Sequence, residues 1–293
     1  FVASILLLGT FSIGVFFRIL KTQNKSTIYF TRDVNLAWFL IFFRPNLKDK
    51  IFIEIHNIPS IPIRKKRQFN IFKKVKGVIA LTKTMRSELI QNQISKDKIL
   101  YSPDAVDTSQ FKISQTKNQI RSSLSIPLEL KVFLYLGKFH TLGNEKGIPE
   151  IIESIKFLNL DFPYKFYIVG GPLERVKKYT RLIEENNVDK NKIVFLGRQE
   201  IKDIPMWLKA ADILLMPHPK TIFYERYVSP LKLFEYMCSN NPIIASNLDS
   251  IKEILSHKKN SYLVEPGSSL EISNAIYDLI KNPSLSAAIA SQA

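Results

Sequence analysis

The sequence predicts an α/β protein made of two Rossmann-like domains. From Lys131 onward, short β-branched or aromatic runs alternate with amphipathic stretches of helical period, and the first third of the chain repeats this alternation less completely. Strands that alternate with helices form βαβ units, which build a parallel sheet covered on both faces. The polar, turn-rich segment 102–118 separates the two regions. We therefore expect two Rossmann-like domains that face one another, at 1–115 and 116–293.

In the first region, three apolar runs predict strands and three amphipathic stretches predict helices. The strands are expected at 28–30, 51–55 and 77–81, and the helices at 33–43, 64–74 and 83–91. Asp33 and Thr82 stand at the start of two of these helices. Short polar side chains there accept hydrogen bonds from the first backbone N–H groups, so both residues are predicted helix caps.

In the second region, six strands alternate with six helices. The strands are expected at 132–136, 165–169, 193–196, 213–216, 243–245 and 262–264. The helices are expected at 148–159, 172–187, 200–210, 230–239, 249–257 and 268–281. Ligands of open α/β sheets bind at the carboxyl ends of the strands, so the residues that follow these strands are the candidates for a site.

The two ends of the chain predict helices of an incomplete protein. The uncharged apolar run 1–17 is diluted by small and polar residues and has no basic segment before it, which favours a buried helix over a membrane anchor. The helix-like segment 286–293 has no capping or breaking signal. We expect the amino-terminal domain to be truncated and the carboxyl end to be cut as well.

Composition predicts a globular protein with an anionic partner. Of 293 residues, 45% are hydrophobic, which is enough for a sizeable core. The 42 basic and 26 acidic residues leave a net charge of +16, which indicates phosphate, an acidic membrane surface or nucleic acid as partner. Alternatively, the excess of basic residues reflects a lysine-rich composition, and these side chains are solvated at the surface without a partner. Cys238 is the single cysteine, which excludes a disulfide framework and suits the cytoplasm. The four histidines have no metal-ligand spacing, so we expect no metal.

Two lysines flank one strand-to-helix connection of the second region. Gly137 and Lys138 follow the strand at 132–136, and Lys146 precedes the next helix. The glycine lets a ligand approach the backbone, and the two ammonium groups could neutralise a departing diphosphate without a metal. Alternatively, both lysines are solvated surface residues that bind no ligand.

Two further positions at the same edge could bind phosphate or ribose. Gly170 and Gly171 end the strand at 165–169 and offer backbone donors, although they match neither a dinucleotide fingerprint nor a P-loop. Glu235 lies about one turn into the helix at 230–239. Its carboxylate could share a ligand with the free N–H groups of the helix, the arrangement suited to a ribose linked to a diphosphate.

The motifs of the second region, taken together, resemble a known family. They are Tyr135–Lys138, Glu145–Gly147, Ile168–Gly171, Val194–Gly197, Ala210–Pro217, Ser229–Met237 and Pro242–Ser246. In this order and spacing they resemble the nucleotide-binding half of family 4 retaining glycosyltransferases of the GT-B fold, over residues 131–283.

The resemblance implies a metal-independent, retaining glycosyltransferase without a cofactor. Such an enzyme moves a sugar from a nucleotide-sugar to a glycan or lipid-linked acceptor, in the synthesis of cell-surface polysaccharide or glycolipid. Lys138 and Lys146 would bind the donor diphosphate and stabilise its departure, and Glu235 would accept hydrogen bonds from the ribose. The implied donor-binding residues are Gly137, Gly170, Gly171, Arg198, Ser229, Leu231, Lys232 and Glu235. For Lys232, a helix-surface role is the alternative.

Two other residues are singled out by the resemblance. His56 follows the strand at 51–55 and resembles the amino-domain histidine that reaches the donor sugar in related enzymes, so it is a candidate catalytic residue. In many relatives a second glutamate, eight residues before the first, contacts the transferred sugar. Here that position is Tyr227, and Glu225 is close to it but out of register.

A second class of function stays open on the sequence alone. The charge of +16 and the tyrosine at position 227 also fit a non-catalytic GT-B-like module that binds an acidic polymer or membrane. We expect a cytoplasmic protein, peripheral on the inner face of the membrane through the basic cluster at 64–76. Nucleic acid is not expected, because the chain has no signature of a nucleic-acid-binding domain.

Overall fold

A computed structural model describes residues 2–22, 24, 26–141 and 143–293 and divides the chain into two compact units. The first unit consists of Phe1–Pro103 and Arg226–Val228, and the second consists of Asp104–Glu225 and Ser229–Ala293. The predicted boundary after residue 115 falls inside the second unit. The short segment Arg226–Val228 thus belongs to the first unit, although it directly precedes the motif Ser229–Met237 of the second unit.

The first unit is a parallel four-stranded sheet with helices. Its strands lie side by side in chain order. They are β1 (Tyr29–Thr31), β2 (Ile51–Ile55), β3 (Gly77–Ala80) and β4 (Ile99–Tyr101). The helices are α1 (Val2–Thr22), α2 (Val34–Phe43), α3 (Pro62–Lys74) and α4 (Lys83–Gln91). The sequence analysis did not predict β4, which directly follows the charged residues 96–98.

Both predicted helix caps of this unit are confirmed. Asp33 Oδ1 accepts hydrogen bonds from the N–H groups of Asn35 and Leu36 at the start of α2. Thr82 Oγ1 accepts from the N–H of Met85 at the start of α4. The caps fix the points at which the chain turns from β1 and β3 into helices, at the carboxyl edge of the sheet.

The first helix differs from the expectation of a buried segment. Among its described side chains, Phe11, Ile13 and Phe17 expose 55%, 48% and 58% of their surface, so the prediction of a buried helix is wrong there. Of the side chains described in this helix, those of Ser12 and Ile19 are buried. None of the helices in the described part of the chain combines the length and apolar character needed to cross a membrane.

The second unit is a parallel six-stranded sheet in the order β9-β8-β5-β10-β11-β12, and all six predicted strands are confirmed. The strands are β5 (Lys131–Lys138), β8 (Tyr164–Gly171), β9 (Ile193–Leu196), β10 (Ile213–Met216), β11 (Ile243–Ser246) and β12 (Tyr262–Val264). A small antiparallel hairpin follows β5 and consists of β6 (His140–Thr141) and β7 (Asn144–Glu145). The order is that of a doubly wound sheet, which reverses its winding next to β5.

Nine helices complete the described part of the chain after residue 104. They are α5 (Lys117–Ser123), α6 (Ile148–Ser154), α7 (Val176–Glu185), α8 (Ile204–Ala210), α9 (Ile222–Arg226), α10 (Leu231–Met237), α11 (Asp249–Lys252), α12 (Ser269–Lys281) and α13 (Pro283–Gln292). The sequence pattern does not predict α5 or α9, which are short. The core of the sheet includes the buried side chains of Phe133, Phe166 and Leu215. This core fixes the central strands, so their carboxyl ends form a rigid edge.

Candidate functional site

The carboxyl ends of β5 and β8 bring two glycines together under a lysine side chain. The two strands pair along their full length, with Gly137 opposite Gly170. A Cβ atom on Gly170 would lie 1.8 Å from the carbonyl oxygen of Gly137, and a Cβ atom on Gly137 would lie 1.9 Å from Cε of Lys232. Both glycines have positive φ angles, 153° at Gly137 and 139° at Gly170. Glycine is therefore required for the Lys232 side chain to lie across the strand ends.

Lys232 belongs to the site rather than to the outer surface of its helix. It stands in the first turn of α10, and its side chain packs against β5 at Gly137. Burial, together with the charge of Lys146, lowers the pKa of Lys232 to about 8, although Glu235 partly opposes the shift. Burial disfavours the charged form of this amine, so an anion bound beside it would strongly stabilise the ammonium group.

The β6–β7 hairpin holds Lys146 in place. The Glu145 carboxylate accepts hydrogen bonds from Tyr179 Oη at 2.7 Å and from Lys178 Nζ at 3.0 Å, which fixes the end of the hairpin. Gly147 then adopts a left-handed conformation with φ 83°, and a Cβ atom there would lie 1.7 Å from the carbonyl oxygen of Pro217. Burial and the charge of Lys138 lower the pKa of Lys146.

One cavity of about 430 Å³ is lined by six of the predicted site residues. It lies at the carboxyl ends of β5, β8 and β9, within the second unit. The predicted residues that line it are Gly137, Lys138, Gly170, Gly171, Arg198 and Lys232. Leu136, Val169 and Ile204 form an apolar part of the wall. The cavity therefore combines backbone and cationic groups with an apolar surface that a planar base could contact.

The start of α10 supplies further predicted residues, which do not line this cavity. No side chain caps α10, which begins at Leu231, so its first N–H groups have no capping partner. Ser229 Oγ accepts a hydrogen bond from the N–H of Asp104 at 2.9 Å. Within the described part of the chain, the Glu235 carboxylate makes no hydrogen bond or ion pair, and it remains able to accept hydrogen bonds from a ligand.

His218 is a site residue that the sequence analysis missed. It lies two residues after β10, is 2% exposed, and stacks on Tyr224 with 4.6 Å between ring centroids. Its Nδ1 atom has no hydrogen-bond partner among the described residues. Burial, followed by the charges of Lys146 and Lys232, lowers the pKa of His218 to about 3. The imidazole is therefore neutral near two cations. Its position after a strand end was the available signal, but the sequence analysis considered His218 only as a possible metal ligand.

His56 lies at the carboxyl end of β2, in the first unit. Its Nε2 atom is 2.7 Å from Glu54 Oε1, and Arg32 Nε is 2.6 Å from the same oxygen. Glu54 therefore orients the imidazole of His56. The structure places this candidate catalytic residue in the unit that does not contain Lys138 and Lys146.

Tyr227 is part of a buried ion cluster of the first unit. Its hydroxyl donates to Glu88 Oε2 at 2.9 Å, and Lys65 Nζ lies 2.5 Å from Oε1 of the same carboxylate. Burial raises the pKa of Glu88, but the hydrogen bonds from Lys65 and Tyr227 outweigh it and hold the value below the ordinary range. Burial and the bond to Glu88 raise the pKa of Tyr227 to about 12. The residue at the position of the sugar-binding glutamate thus serves as a contact of Glu88.

Among the described residues, no set of three or more His, Cys, Asp or Glu side chains could hold a metal ion. Cys238 is a free thiol whose pKa is raised by burial and by Glu235. Metal independence of the reaction stays a prediction.

The fold and this site together define a glycosyltransferase domain. Residues 130–282, slightly more than half of the chain, match the family of glycosyl transferases group 1. The chain belongs to this family. The match covers the six-stranded sheet and the cavity residues Lys138, Arg198 and Lys232.

Two similar proteins and one solved structure illustrate the relationship. The uncharacterized glycosyltransferase MJ1069 of Methanocaldococcus jannaschii is 24% identical over 219 residues, and TuaC of Bacillus subtilis, assigned to teichuronic acid biosynthesis, is 24% identical over 220 residues. Each alignment covers 73% of this chain but 52% and 50% of those proteins, so the chain spans about half the length of the curated relatives it matches. Anabaena Alr3699/HepE in complex with UDP superposes with a TM-score of 0.75 at 20% identity, covering 95% of this chain and 76% of that chain. This likeness shows a shared fold.

Proposed function

We propose that the protein is a retaining glycosyltransferase that moves a sugar from a nucleotide-sugar donor to a glycan or lipid-linked acceptor. The observation that carries the proposal is the convergence of six predicted donor-binding residues on one cavity beside the point where the sheet reverses its winding. Doubly wound sheets bind nucleotides at that point. HepE has been solved with UDP and with UDP-glucose, which makes UDP-sugars the first donors to test. TuaC supports a role in polysaccharide synthesis.

In this proposal each part of the site binds one part of the donor. The apolar wall near Arg198 contacts the base, and the strand ends at Gly137 and Gly170 allow the diphosphate to approach the backbone. Glu235 accepts hydrogen bonds from the ribose hydroxyls. Lys232 contributes a positive charge next to Gly137.

The chemical step depends on charge that develops on the leaving diphosphate. Lys138 and Lys146 stabilise that charge, and no metal ion is required in this mechanism. His218 is neutral and adds no further positive charge beside Lys146 and Lys232. The acceptor hydroxyl enters on the face from which the diphosphate leaves, so the anomeric configuration is retained. His56 remains the candidate catalytic residue of the first unit, where Glu54 orients its imidazole.

Calorimetric titration with UDP, GDP and ADP tests the donor site. We expect one nucleotide to bind and Glu235→Ala to weaken it by about tenfold to a hundredfold, because a desolvated, charged hydrogen-bond acceptor is lost. Glu184→Ala, which removes an exposed carboxylate from α7, is the matched control and should leave affinity unchanged. Absence of binding by all three nucleotides, or equal losses in the two variants, would refute the donor site.

A non-catalytic module is the second candidate function, and the high charge of the first unit favours it. Such a module would bind anionic vesicles or acidic polymers in a salt-sensitive way and would show no nucleotide affinity. The same titrations therefore separate the two functions. Turnover of a UDP-sugar would exclude the module.

We also propose that the protein works in the cytoplasm, peripherally on the inner face of the membrane. The proposal rests on the basic residues of α3, among them Arg64, Lys66 and Lys74, which are exposed. Sedimentation with vesicles should show more binding to phosphatidylglycerol than to phosphatidylcholine, with a decrease at high salt. Equal binding to both lipids would exclude an electrostatic attachment.

A further inference from the structure

The positive charge of the protein is concentrated in the first unit. This unit holds 19 of the 42 basic residues but only 5 of the 26 acidic residues, a net charge of +14. The second unit holds the other 23 basic and 21 acidic residues, a net charge of +2. The donor site lies in the nearly neutral unit. The charge of the first unit therefore calls for a different anionic ligand.

Three arginines line a cavity of about 670 Å³ at the carboxyl edge of the first sheet. Arg32 follows β1, and Arg64 and Arg67 lie in the first turns of α3. Arg64 makes no ion pair with any described residue. Asp33 also lines this cavity, but its Oδ1 atom caps α2. We call this cavity the arginine pocket. Planar guanidinium groups bind phosphate oxygens in a bidentate manner, which suits the pocket to a phosphate or diphosphate.

The arginine pocket lies beside the predicted catalytic histidine of the same unit. Glu54 Oε1 contacts both Arg32 Nε, at 2.6 Å, and His56 Nε2, at 2.7 Å. One carboxylate oxygen therefore links the pocket to His56. An anion held by Arg32 would lie next to the residue proposed to act on the sugar.

A second cavity of about 650 Å³ continues from the arginine pocket between α2 and α3. Its apolar residues include Trp38, Phe42 and Ile63, which expose 43%, 64% and 77% of their surface. The Trp38 and Phe42 rings stack with 5.5 Å between centroids. Lys48, Lys66 and Lys74 also line it. We call this cavity the apolar groove. Large apolar side chains exposed side by side indicate a surface that binds apolar matter.

Arg67 and Ile71 line both cavities and so mark their junction. The Arg67 guanidinium lies 5.0 Å from the centroid of the Trp38 ring, so the cationic group is stacked on the first aromatic residue of the groove. The surface thus changes from cationic to apolar along one continuous path. A ligand that fits it has an anionic head and a hydrocarbon chain.

We infer that the first unit binds a phosphorylated amphiphile, which is the acceptor substrate. Its phosphate or diphosphate group lies in the arginine pocket, against Arg64 and Arg67, and its hydrocarbon chain lies in the apolar groove along Trp38. The role as acceptor rests on the proposed glycosyltransferase function. The binding itself does not, because it involves only residues of the first unit.

Tryptophan fluorescence measures this binding directly. Trp38 lies in the groove, whereas the only other tryptophan, Trp207, is buried in the second unit. We expect decyl phosphate, titrated below its micellar concentration, to shift the emission and to bind about tenfold more tightly than decanol, because charge-assisted hydrogen bonds are added. Trp38→Phe should abolish the shift while calorimetric binding persists.

Charge-matched variants distinguish the pocket from general attraction. Arg64→Gln should weaken decyl phosphate binding by about fivefold to tenfold, whereas Arg86→Gln, which removes the same charge from exposed α4, should leave it unchanged. Phe42→Ser should weaken it and Leu100→Ser, at an exposed apolar site on β4, should not.

Several outcomes would overturn the inference. Equal affinity for decyl phosphate and decanol would show that the apolar groove binds the chain but that no phosphate site exists. Equal losses of affinity in Arg64→Gln and Arg86→Gln would show that only the net charge of the protein attracts the ligand. Binding to phosphatidylglycerol vesicles without any effect of soluble decyl phosphate on Trp38 would indicate a bilayer-docking surface instead. The donor-site titrations are independent of these measurements. A protein that binds UDP but not decyl phosphate would refute this inference and not the proposed function.

Discussion

The two units present their cations in opposite ways. In the second unit, Lys146 and Lys232 are half-buried, and burial lowers the pKa of both amines. In the first unit, Arg32, Arg64 and Arg67 are exposed. A buried ammonium group is costly until an anion lies beside it, whereas an exposed guanidinium is hydrated and keeps its charge. The comparison separates a candidate site with two half-buried lysines in the second unit, called the enclosed site below, from a cavity lined by exposed arginines in the first unit.

Replacing Lys146 tests the enclosed site with the largest expected effect. Lys146→Ala should lower turnover by about a hundredfold to a thousandfold, because a charge that stabilises the transition state is removed. The affinity for UDP should fall much less, since the interaction is strongest when the diphosphate departs. Steady-state kinetics together with calorimetry measure both quantities.

Lys177→Ala is the control for this change, because it removes an exposed lysine from α7. Its turnover should equal that of the parent protein. If Lys146→Ala also stays within a few-fold of the parent, Lys146 is not the residue that stabilises the leaving group.

Two glycines with the same backbone angle test how tightly the enclosed site is built. Gly143 and Gly147 both have φ 83°, but a Cβ atom on Gly143 meets nothing within 4 Å, whereas one on Gly147 meets the carbonyl oxygen of Pro217 at 1.7 Å. Gly143→Ala should cost about 1 kcal/mol of unfolding free energy, for the left-handed backbone alone. Gly147→Ala should cost about 2–4 kcal/mol, because the backbone must also move.

Urea unfolding monitored by Trp207, in the second unit, measures the difference. Nucleotide affinity should fall in Gly147→Ala only. Equal stability of the two variants would show that the hairpin is free to shift and that Lys146 is not held in place.

The pH dependence of UDP binding tests the burial of Lys232. With a pKa of about 8, this amine loses its proton as the pH rises above that value. Affinity for UDP should therefore be highest below pH 8 and fall by up to about tenfold per pH unit above it, until other groups titrate. Since the amine of an unfolded chain titrates near 10.5, burial of charged Lys232 destabilises the folded protein below pH 8, and this cost disappears as the pH rises from 8 to 10.5.

Lys232→Met keeps an apolar stem over Gly137 without the charge. Its UDP affinity should be low and nearly constant between pH 7 and 10. A parent protein whose affinity is equally flat over this range would show that Lys232 does not contact the diphosphate.

The sheet of the second unit could be predicted strand by strand, because each strand is a clear apolar run bounded by turn residues. The convergence of Gly137 and Gly170 followed from the rule that parallel strands end at one edge. The elements β4 and α5 were not predicted, although β1 and α6 are equally short. β4 directly follows the charged residues 96–98, and α5 begins inside the polar segment 102–118 that was interpreted as a linker. For Gly137, the sequence predicted only that a ligand could approach the backbone. The structure adds a positive φ angle of 153° and the Lys232 side chain that lies over it.

The sequence could not predict the surroundings of Tyr227 and His218, because they are formed by residues that are remote in the chain. Segment 226–228 returns to the first unit through contacts with Glu88, which is remote in the chain, and no local pattern encodes that return. The low pKa of His218 likewise depends on burial and on two lysines from other elements. The electrostatic environment of a residue depends on its tertiary contacts, whereas a sequence motif shows only which residue types are present.

Replacing Tyr227 should leave the donor site unaffected, and it tests whether this residue stabilises the first unit or contacts the sugar. Tyr227→Phe removes the hydrogen bond to buried Glu88 and should lower the unfolding free energy of the first unit by about 1–2 kcal/mol, with UDP affinity unchanged. Because the pKa of Glu88 is lowered in the folded protein, the stability that its charge contributes is present at neutral pH and is lost in acid, so the cost of the substitution should shrink there. Urea unfolding monitored by Trp38, at pH 7 and pH 4, measures this cost. A loss of UDP-sugar affinity without a loss of stability would instead give Tyr227 the sugar-contacting role that relatives assign to glutamate.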